Sequence, residues 1–167
     1  MRLYIIRHAI AVPHGTPGIA EDERSLTEEG IVKMQKAAAG LRALGYMPEL
    51  ILSSPLIRAT QTAEILLKAF GKGIELKTVP FLAPSGSRRD LYRAIALYEK
   101  KMNSLMIVGH QPSLGEIAGE IAFGSPEHYI ELKKGGVCSI DMEIARGEPR
   151  GSLVALLTPS ILRQIVV

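Results

Sequence analysis

Cysteine is nearly absent from this sequence of 167 residues, in which Cys138 stands alone. One cysteine excludes an internal disulfide framework and suits a reducing compartment, so we expect a cytoplasmic protein. No apolar run approaches the ~20 residues that a membrane helix needs. Arg2 leads directly into a strand-like run without a secretory signal pattern, so we expect no leader and no membrane partner.

Metal-binding and nucleic-acid-binding patterns are also missing. The histidines and acidic residues show no HExxH spacing and no CxxC occurs, so we predict neither a metal nor a cofactor. The formal net charge is +3, without a run of lysine or arginine. This balance is compatible with an anionic substrate and gives no support for a nucleic-acid partner.

The composition is typical of one soluble globular domain, which we assign to residues 1–167, because 47% of the residues are hydrophobic and 22% are charged. Aliphatic runs predict strands, and stripes of apolar residues at helical spacing predict helices between them. The strands are expected at 3–7, 50–52, 74–79 and 105–108, with a hairpin formed by 138–144 and 153–157. This alternation predicts an α/β fold: a three-layer α/β/α sandwich with a mainly parallel central sheet and an antiparallel C-terminal strand.

Helix ends are marked by residues that favour them. Thr27 is expected to cap one helix, and Gly71 to end the next. Ser113 and Glu116 have the spacing of a capping box, which predicts the start of a third helix. Between the two strands of the hairpin, Gly147, Pro149 and Gly151 predict a loop.

Cationic and imidazole side chains follow three of the predicted strands. Arg7 and His8 end the first, Ser53-Ser54-Pro55 with Arg58 follow the second, and His110 follows the 105–108 strand. Ligands of parallel sheets bind beyond the carboxyl ends of the strands, where these groups would meet and favour an anion. Taken singly, His110 could be a structural histidine and Arg58 a surface residue; their convergence favours a site.

The same residues resemble the motifs of the histidine phosphatase superfamily, the phosphoglycerate-mutase-like proteins. Arg7-His8-Ala9 is similar to its Arg-His-Gly signature, residues 53–63 to its second motif and Val108-Gly109-His110 to its third. Leu26-Thr27 with Gly30 resembles its helix start. Arg24 before Leu26, Gln111-Pro112 after His110, and 157–163 resemble the SixA-type phosphohistidine phosphatases.

This resemblance implies a mechanism. His8 would attack phosphorus, with its other ring nitrogen bound to a backbone carbonyl, while Arg7, Arg58 and a protonated His110 hold the phosphoryl oxygens. Arg24 could also reach the substrate from the loop between Ile10 and Ser25, which would shape a groove over the site. The resemblance thus predicts a metal-independent phosphatase that forms a phosphohistidine intermediate.

The superfamily's phosphomonoesterases and mutases carry an acid, usually glutamate, after the third strand. Residues 80–90 hold no glutamate, and Asp90 is expected inside a helix. An alkoxide leaving group benefits from protonation more than the imidazole of phosphohistidine does. We therefore predict a phosphohistidine-containing protein as substrate, with a small phosphorylated substrate second. A broad-specificity phosphomonoesterase and a non-catalytic phosphate-binding module stay open, as does the role of Glu21, Asp22, Glu23 and Glu116. The sequence does not indicate an oligomeric state.

Overall fold

The computed structural model describes residues 1–165, which alternate between strands and helices. The strands are β1 (Arg2–Arg7), β2 (Leu50–Ser53), β3 (Glu75–Thr78), β4 (Ser104–Gly109), β5 (Val137–Ala145) and β6 (Glu148–Leu157). The α-helices are α1 (Glu28–Ala43), α2 (Ile57–Phe70), α3 (Arg88–Glu99), α4 (Ser113–Phe123) and α5 (Pro159–Ile165), and a short 3-10 helix covers Pro80–Leu82.

All of these strands form one sheet in the order β3-β2-β4-β1-β5-β6. The pairs β3–β2, β2–β4 and β4–β1 are parallel. β5 is antiparallel to β1, and β6 is antiparallel to β5. This mixed sheet with antiparallel C-terminal strands confirms the predicted α/β class.

Side chains alternate along the strands, so each face of the sheet presents apolar residues, and helices cover both faces. Leu3 and Ile5 of β1 belong to a core beneath α3 and α4, together with Leu91 and Ile117. Tyr4 and Ile6 point to the opposite core, beneath α1, α2 and α5, which contains Met34, Leu41, Leu66, Met106 and Leu162. Each core seals one face of the sheet, which is the predicted three-layer sandwich.

Two of the predicted helix ends are confirmed and one is wrong. Thr27 Oγ1 accepts the Gly30 N–H at 3.0 Å at the start of α1, and Gly71 ends α2 with a φ of 99°. Ser113 does not cap α4, because it is already the first helical residue. Gln111 Oε1 instead accepts the Gly115 N–H at 2.8 Å. Glu116 is therefore not part of a capping box.

The C-terminal hairpin is longer than predicted. Its turn is confined to Arg146 and Gly147, both with positive φ, as two-residue turns of this kind require. Pro149 and Gly151 lie inside β6 and not in a loop. β6 is an edge strand, where proline leaves few ladder hydrogen bonds unmade. No helix within residues 1–165 is long and apolar enough to cross a membrane.

Candidate active site

The sheet order places three predicted site segments side by side. β4 lies between β2 and β1, so the residues after these strands emerge at the same edge. Two backbone hydrogen bonds extend the pairing past the strands: His8 N–H donates to Gly109 O at 3.0 Å, and Ser54 N–H donates to Val108 O at 2.9 Å. The fold therefore brings the Arg7-His8, Ser54-to-Arg58 and His110 segments together.

His8 is held as a neutral imidazole. Its side chain is buried, with 6% of the residue exposed, and its Nδ1 lies 2.8 Å from Ala9 O. A carbonyl oxygen can only accept, so Nδ1 carries the ring proton and Nε2 carries the free lone pair. Burial lowers the pKa of His8 to about 4, and the positive charges of Arg58 and Arg7 act in the same direction. A neutral ring with an unprotonated nitrogen is what a nucleophile requires.

His110 faces His8 across the site, with ring centroids 5.1 Å apart. Its Nε2 lies 2.8 Å from Ser54 Oγ. Ser54 Oγ accepts the Leu56 N–H, and its own proton can be donated to Nε2; in that arrangement the ring proton of His110 lies on Nδ1. That Nδ1 is buried and has no hydrogen-bond partner among residues 1–165. The Ser54 hydroxyl thus holds Nε2 of His110 and leaves Nδ1 without a protein partner in residues 1–165, a contact that its position in the sequence did not reveal.

The charge of His110 differs from the expected one. Burial, with His8 and Arg58 nearby, lowers the pKa of His110 to about 3. In the free protein the ring is therefore neutral, whereas the resemblance implied a protonated ring holding phosphate. A bound phosphoryl group would raise this pKa, because an adjacent anion favours the charged form.

Three arginines share one arrangement around these imidazoles. Nη1 of Arg7, Arg24 and Arg58 donates to a backbone carbonyl, that of Leu132 at 2.8 Å, Val12 at 2.8 Å and Glu21 at 2.7 Å respectively. In each, Nε is buried and has no hydrogen-bond partner in the described part of the chain. Buried donors without partners are costly, and the oxygens of an anion would satisfy them. Each guanidinium is thus anchored through Nη1 and keeps a donor at Nε that is unpartnered in this part of the chain.

Glu21 connects two of these arginines. Its Oε1 accepts from Arg24 Nη2 at 2.5 Å and from Arg58 Nη2 at 3.1 Å, while Oε2 lies 2.6 Å from His14 Nδ1. The hydrogen bonds from Arg24 and His14 lower the pKa of Glu21 to about 2. Glu21 is therefore a carboxylate at neutral pH. Arg24, which we predicted could reach the substrate from its loop, lies beside Arg58.

Thr62 joins the segment after β1 to helix α2. Its Oγ1 accepts the Ala9 N–H at 3.0 Å and donates to Arg58 O at 2.6 Å. The hydroxyl thus links the residue after His8 to the backbone of Arg58. Thr62 lies within the second motif, but its spacing alone gives no sign of this contact.

The other acidic residues considered from the sequence have different partners or none. Asp90 lies in α3, as predicted, and pairs with Arg93 at 3.3 Å. Glu116 Oε2 lies 3.5 Å from Arg88 Nη1. Asp22 and Glu23 are exposed on the loop before α1. Within residues 1–165, no cluster of three His, Cys, Asp or Glu side chains could hold a metal ion.

A cationic cavity adjoins the site next to Ala9. Its volume is about 340 Å³. The basic residues that line it are Lys33, Lys133, Lys134 and Arg163. Lys134 is close enough to contribute to the lowered pKa of His8. The surroundings of the site thus favour an anionic ligand, in addition to the arginines inside it.

Fold and site together define a class: an α/β sandwich with a buried imidazole and guanidiniums at one edge of the sheet. The family model of the histidine phosphatase superfamily (branch 1) matches residues 3–83. An uncharacterized protein of Picosynechococcus sp. is 41% identical over 148 residues, which cover 87% of this chain and 88% of that protein.

Solved structures share the fold of this chain. The protein histidine phosphatase SixA, in complex with tungstate, is 23% identical, with a TM-score of 0.84 and coverage of 97% of this chain and 99% of that one. A protein of Agrobacterium tumefaciens proposed to be the phosphohistidine phosphatase SixA is 27% identical, with a TM-score of 0.76 and coverage of 95% and 97%. The α-ribazole phosphatase of Shigella flexneri shares the fold at 20% identity and a TM-score of 0.70, with coverage of 95% and 97%. The chain belongs to the histidine phosphatase superfamily, and its fold is that of the SixA structures.

Proposed function

We propose that this protein is a phosphohistidine phosphatase that acts on a protein substrate through a phosphohistidine intermediate on His8. One observation carries the proposal: His8 is a neutral, buried imidazole beside Arg7, Arg58 and His110, and the nearby carboxylate, Glu21, is ionised. The arrangement suits phosphoryl transfer to nitrogen and supplies no carboxylic acid for a leaving oxygen.

The reaction proceeds in two displacements. His8 Nε2 forms a bond to phosphorus as the P–N bond of the substrate breaks, and the electron pair of that bond passes to the substrate imidazole, which takes up a proton from solvent. Arg7, Arg58 and His110 Nδ1 donate to the equatorial oxygens, where negative charge is concentrated. Water then attacks phosphorus, the His8 Nε2–P bond breaks, and inorganic phosphate leaves as neutral His8 is restored.

Glu21, Glu116 and Asp90 are poorly suited to act as the acid that an ester would need, and Asp22 and Glu23 are exposed on the loop before α1. Glu21 has a pKa of about 2 and cannot donate a proton at neutral pH. Glu116 and Asp90 are paired with Arg88 and Arg93. General acid catalysis typically contributes about 10²–10⁴-fold, so its absence penalises an alkoxide much more than an imidazole that is readily protonated. This difference favours phosphohistidine over phosphate esters.

Turnover of three substrates tests the proposal. The wild-type protein would be offered a protein phosphorylated on histidine, a phosphoserine peptide and p-nitrophenyl phosphate, each with and without EDTA. We expect hydrolysis of the phosphohistidine protein, unaffected by EDTA, and kcat/KM for both esters at least about 10²-fold lower. His8→Ala should be inactive, while His128→Ala, which changes an exposed histidine, should retain full activity.

Equal or faster hydrolysis of the esters would replace the proposal by a broad phosphomonoesterase. Binding of phosphate without turnover of any substrate would replace it by a phosphate-binding module. A requirement for a metal ion would contradict the proposed mechanism.

A further inference from the structure

Arg24 and Arg58 are two like charges held beside each other. Arg58 is only 2% exposed and lies in the first turn of helix α2, so its guanidinium has little freedom to move. Arg24 belongs to the loop before α1, and its positive charge is close enough to lower the pKa of Arg58. Without a compensating charge, the two guanidiniums would repel, and the loop residue would be the one to move.

The compensating charge is the carboxylate of Glu21. A single oxygen, Oε1, accepts from both guanidiniums, at 2.5 Å from Arg24 Nη2 and 3.1 Å from Arg58 Nη2. The backbone oxygen of the same residue accepts from Arg58 Nη1 at 2.7 Å. Glu21 therefore binds the outer edge of Arg58 with two acceptors and leaves Nε without a partner in the described chain.

We propose that Glu21 is a positioning residue that holds Arg24 beside Arg58, so that both can bind one phosphoryl group. The inference rests on the proposed function, since it assigns the phosphoryl group as the ligand of that pair. Arg24 contributes to the site only while this carboxylate is present, and Glu21 itself does not contact the phosphoryl group.

The carboxylate has a second, opposite effect. Its negative charge lies near the site and would weaken the attraction of a phosphoryl dianion. The charges are nevertheless matched: arginine stays protonated in proteins, so Arg7, Arg24 and Arg58 with an ionised Glu21 leave a net charge that a dianion neutralises. Loss of Glu21 therefore removes a repulsive charge but also releases Arg24, and the two contributions can be separated by experiment.

A double-mutant cycle tests the inference. Glu21→Ala, Arg24→Ala and the double variant would be compared for kcat and KM on the phosphohistidine protein, and for the Kd of inorganic phosphate by calorimetry. Because the Glu21 side chain is 48% exposed, solvent screens its ion pairs, and their contribution of about 1 kcal/mol corresponds to a loss of roughly fivefold in kcat/KM for Glu21→Ala. In the Arg24→Ala background, removal of Glu21 should cost nothing or slightly tighten phosphate binding.

Two further variants show that the effect is specific. Glu21→Gln keeps an acceptor oxygen without the charge and should lose less activity than Glu21→Ala. Glu23→Ala removes a carboxylate of the same exposed loop for which no side-chain hydrogen bond or ion pair is found within residues 1–165, and it should behave as wild type. An unchanged thermal midpoint in all variants would separate positioning from folding.

Three results would overturn the inference. Tighter phosphate binding and faster turnover in Glu21→Ala alone would make Glu21 a competitor of the substrate. An equal loss with and without Arg24 would mean that Glu21 acts independently of Arg24. Failure of the wild-type protein to bind phosphate would remove the site itself. Because phosphate binding is measured without turnover, a protein that binds phosphate but hydrolyses nothing would refute the proposed function and still allow the coupling to be read.

Discussion

Gly30 lies where helix α1 meets the segment that follows His8. A Cβ added at this position would lie 2.0 Å from Ile10 O, whereas real Cβ contacts are essentially never under 3.0 Å. Gly30→Ala therefore requires a displacement of about 1 Å. The opposing atom is backbone, so it cannot rotate away. The displaced segment includes Ala9, whose carbonyl fixes the His8 ring.

Gly30→Ala should change both the free energy of unfolding and the rate of the reaction. Overpacking typically destabilises by about 1–3 kcal/mol, and replacement of a helical glycine by alanine returns about 1 kcal/mol. Misplacement of a reacting group by about 1 Å can lower the rate by about 10²-fold, and we expect a loss of that order in kcat/KM.

Gly40 provides the matched control. It lies in the same helix, and its added Cβ would lie 2.0 Å from Leu162 O, away from the site. Gly40→Ala should therefore lower the thermal midpoint by a similar few degrees and leave kcat/KM of the folded protein near wild type. Both variants would be assayed at a temperature where each is fully folded. Equal losses of kcat/KM in the two variants, or full activity in Gly30→Ala, would refute this account of the glycine.

Three other changes have expected outcomes. Ser54→Ala leaves His110 Nε2 without its partner and should lower kcat/KM by about tenfold; a loss in stability alone, at unchanged kcat/KM, would contradict the role of this hydroxyl. Arg58→Lys replaces a planar guanidinium, which can donate two parallel hydrogen bonds to one phosphoryl group, by an ammonium group, and should lower kcat/KM by about 10²-fold; near-normal kinetics would show that only the charge matters. The pKa of His8 is lowered from 6.5 to about 4, so between these pH values the unfolded chain binds more protons than the folded protein. The free energy of unfolding, measured in urea, should therefore fall as the pH is lowered from 7 to 5. This fall should be smaller in His8→Gln than in wild type.

The fold was accessible from the sequence because its signals are local. The buried strand before Arg7 follows from a run of neighbouring aliphatic residues, and the cap at Thr27 follows from the helical spacing of the apolar residues after it. Both are found as predicted. The position of Pro149 inside β6 was not accessible, because tolerance of proline depends on β6 being the edge strand. The capping box failed for a related reason: the Gln111 side chain reaches the first turn of α4 from outside the helix.

The site was accessible only in part. Strand ends that converge on one sheet edge follow from topology, so the meeting of His8 with the Arg58 and His110 segments could be predicted. The contacts of Glu21 could not, because they depend on how a loop with little regular structure folds back onto α2. The neutral charge of His110 depends on burial, which one sequence does not give quantitatively.

The proposed mechanism requires that His8 becomes phosphorylated during turnover. Rapid quenching of the wild-type protein with a radiolabelled phosphohistidine protein, followed by peptide mapping, measures this directly. We expect a labelled enzyme in which the phosphoryl group is on His8 and the label is labile in acid and stable in base, and we expect no label in His8→Ala. An acid-stable label on another residue, or turnover without any labelled enzyme, would contradict it.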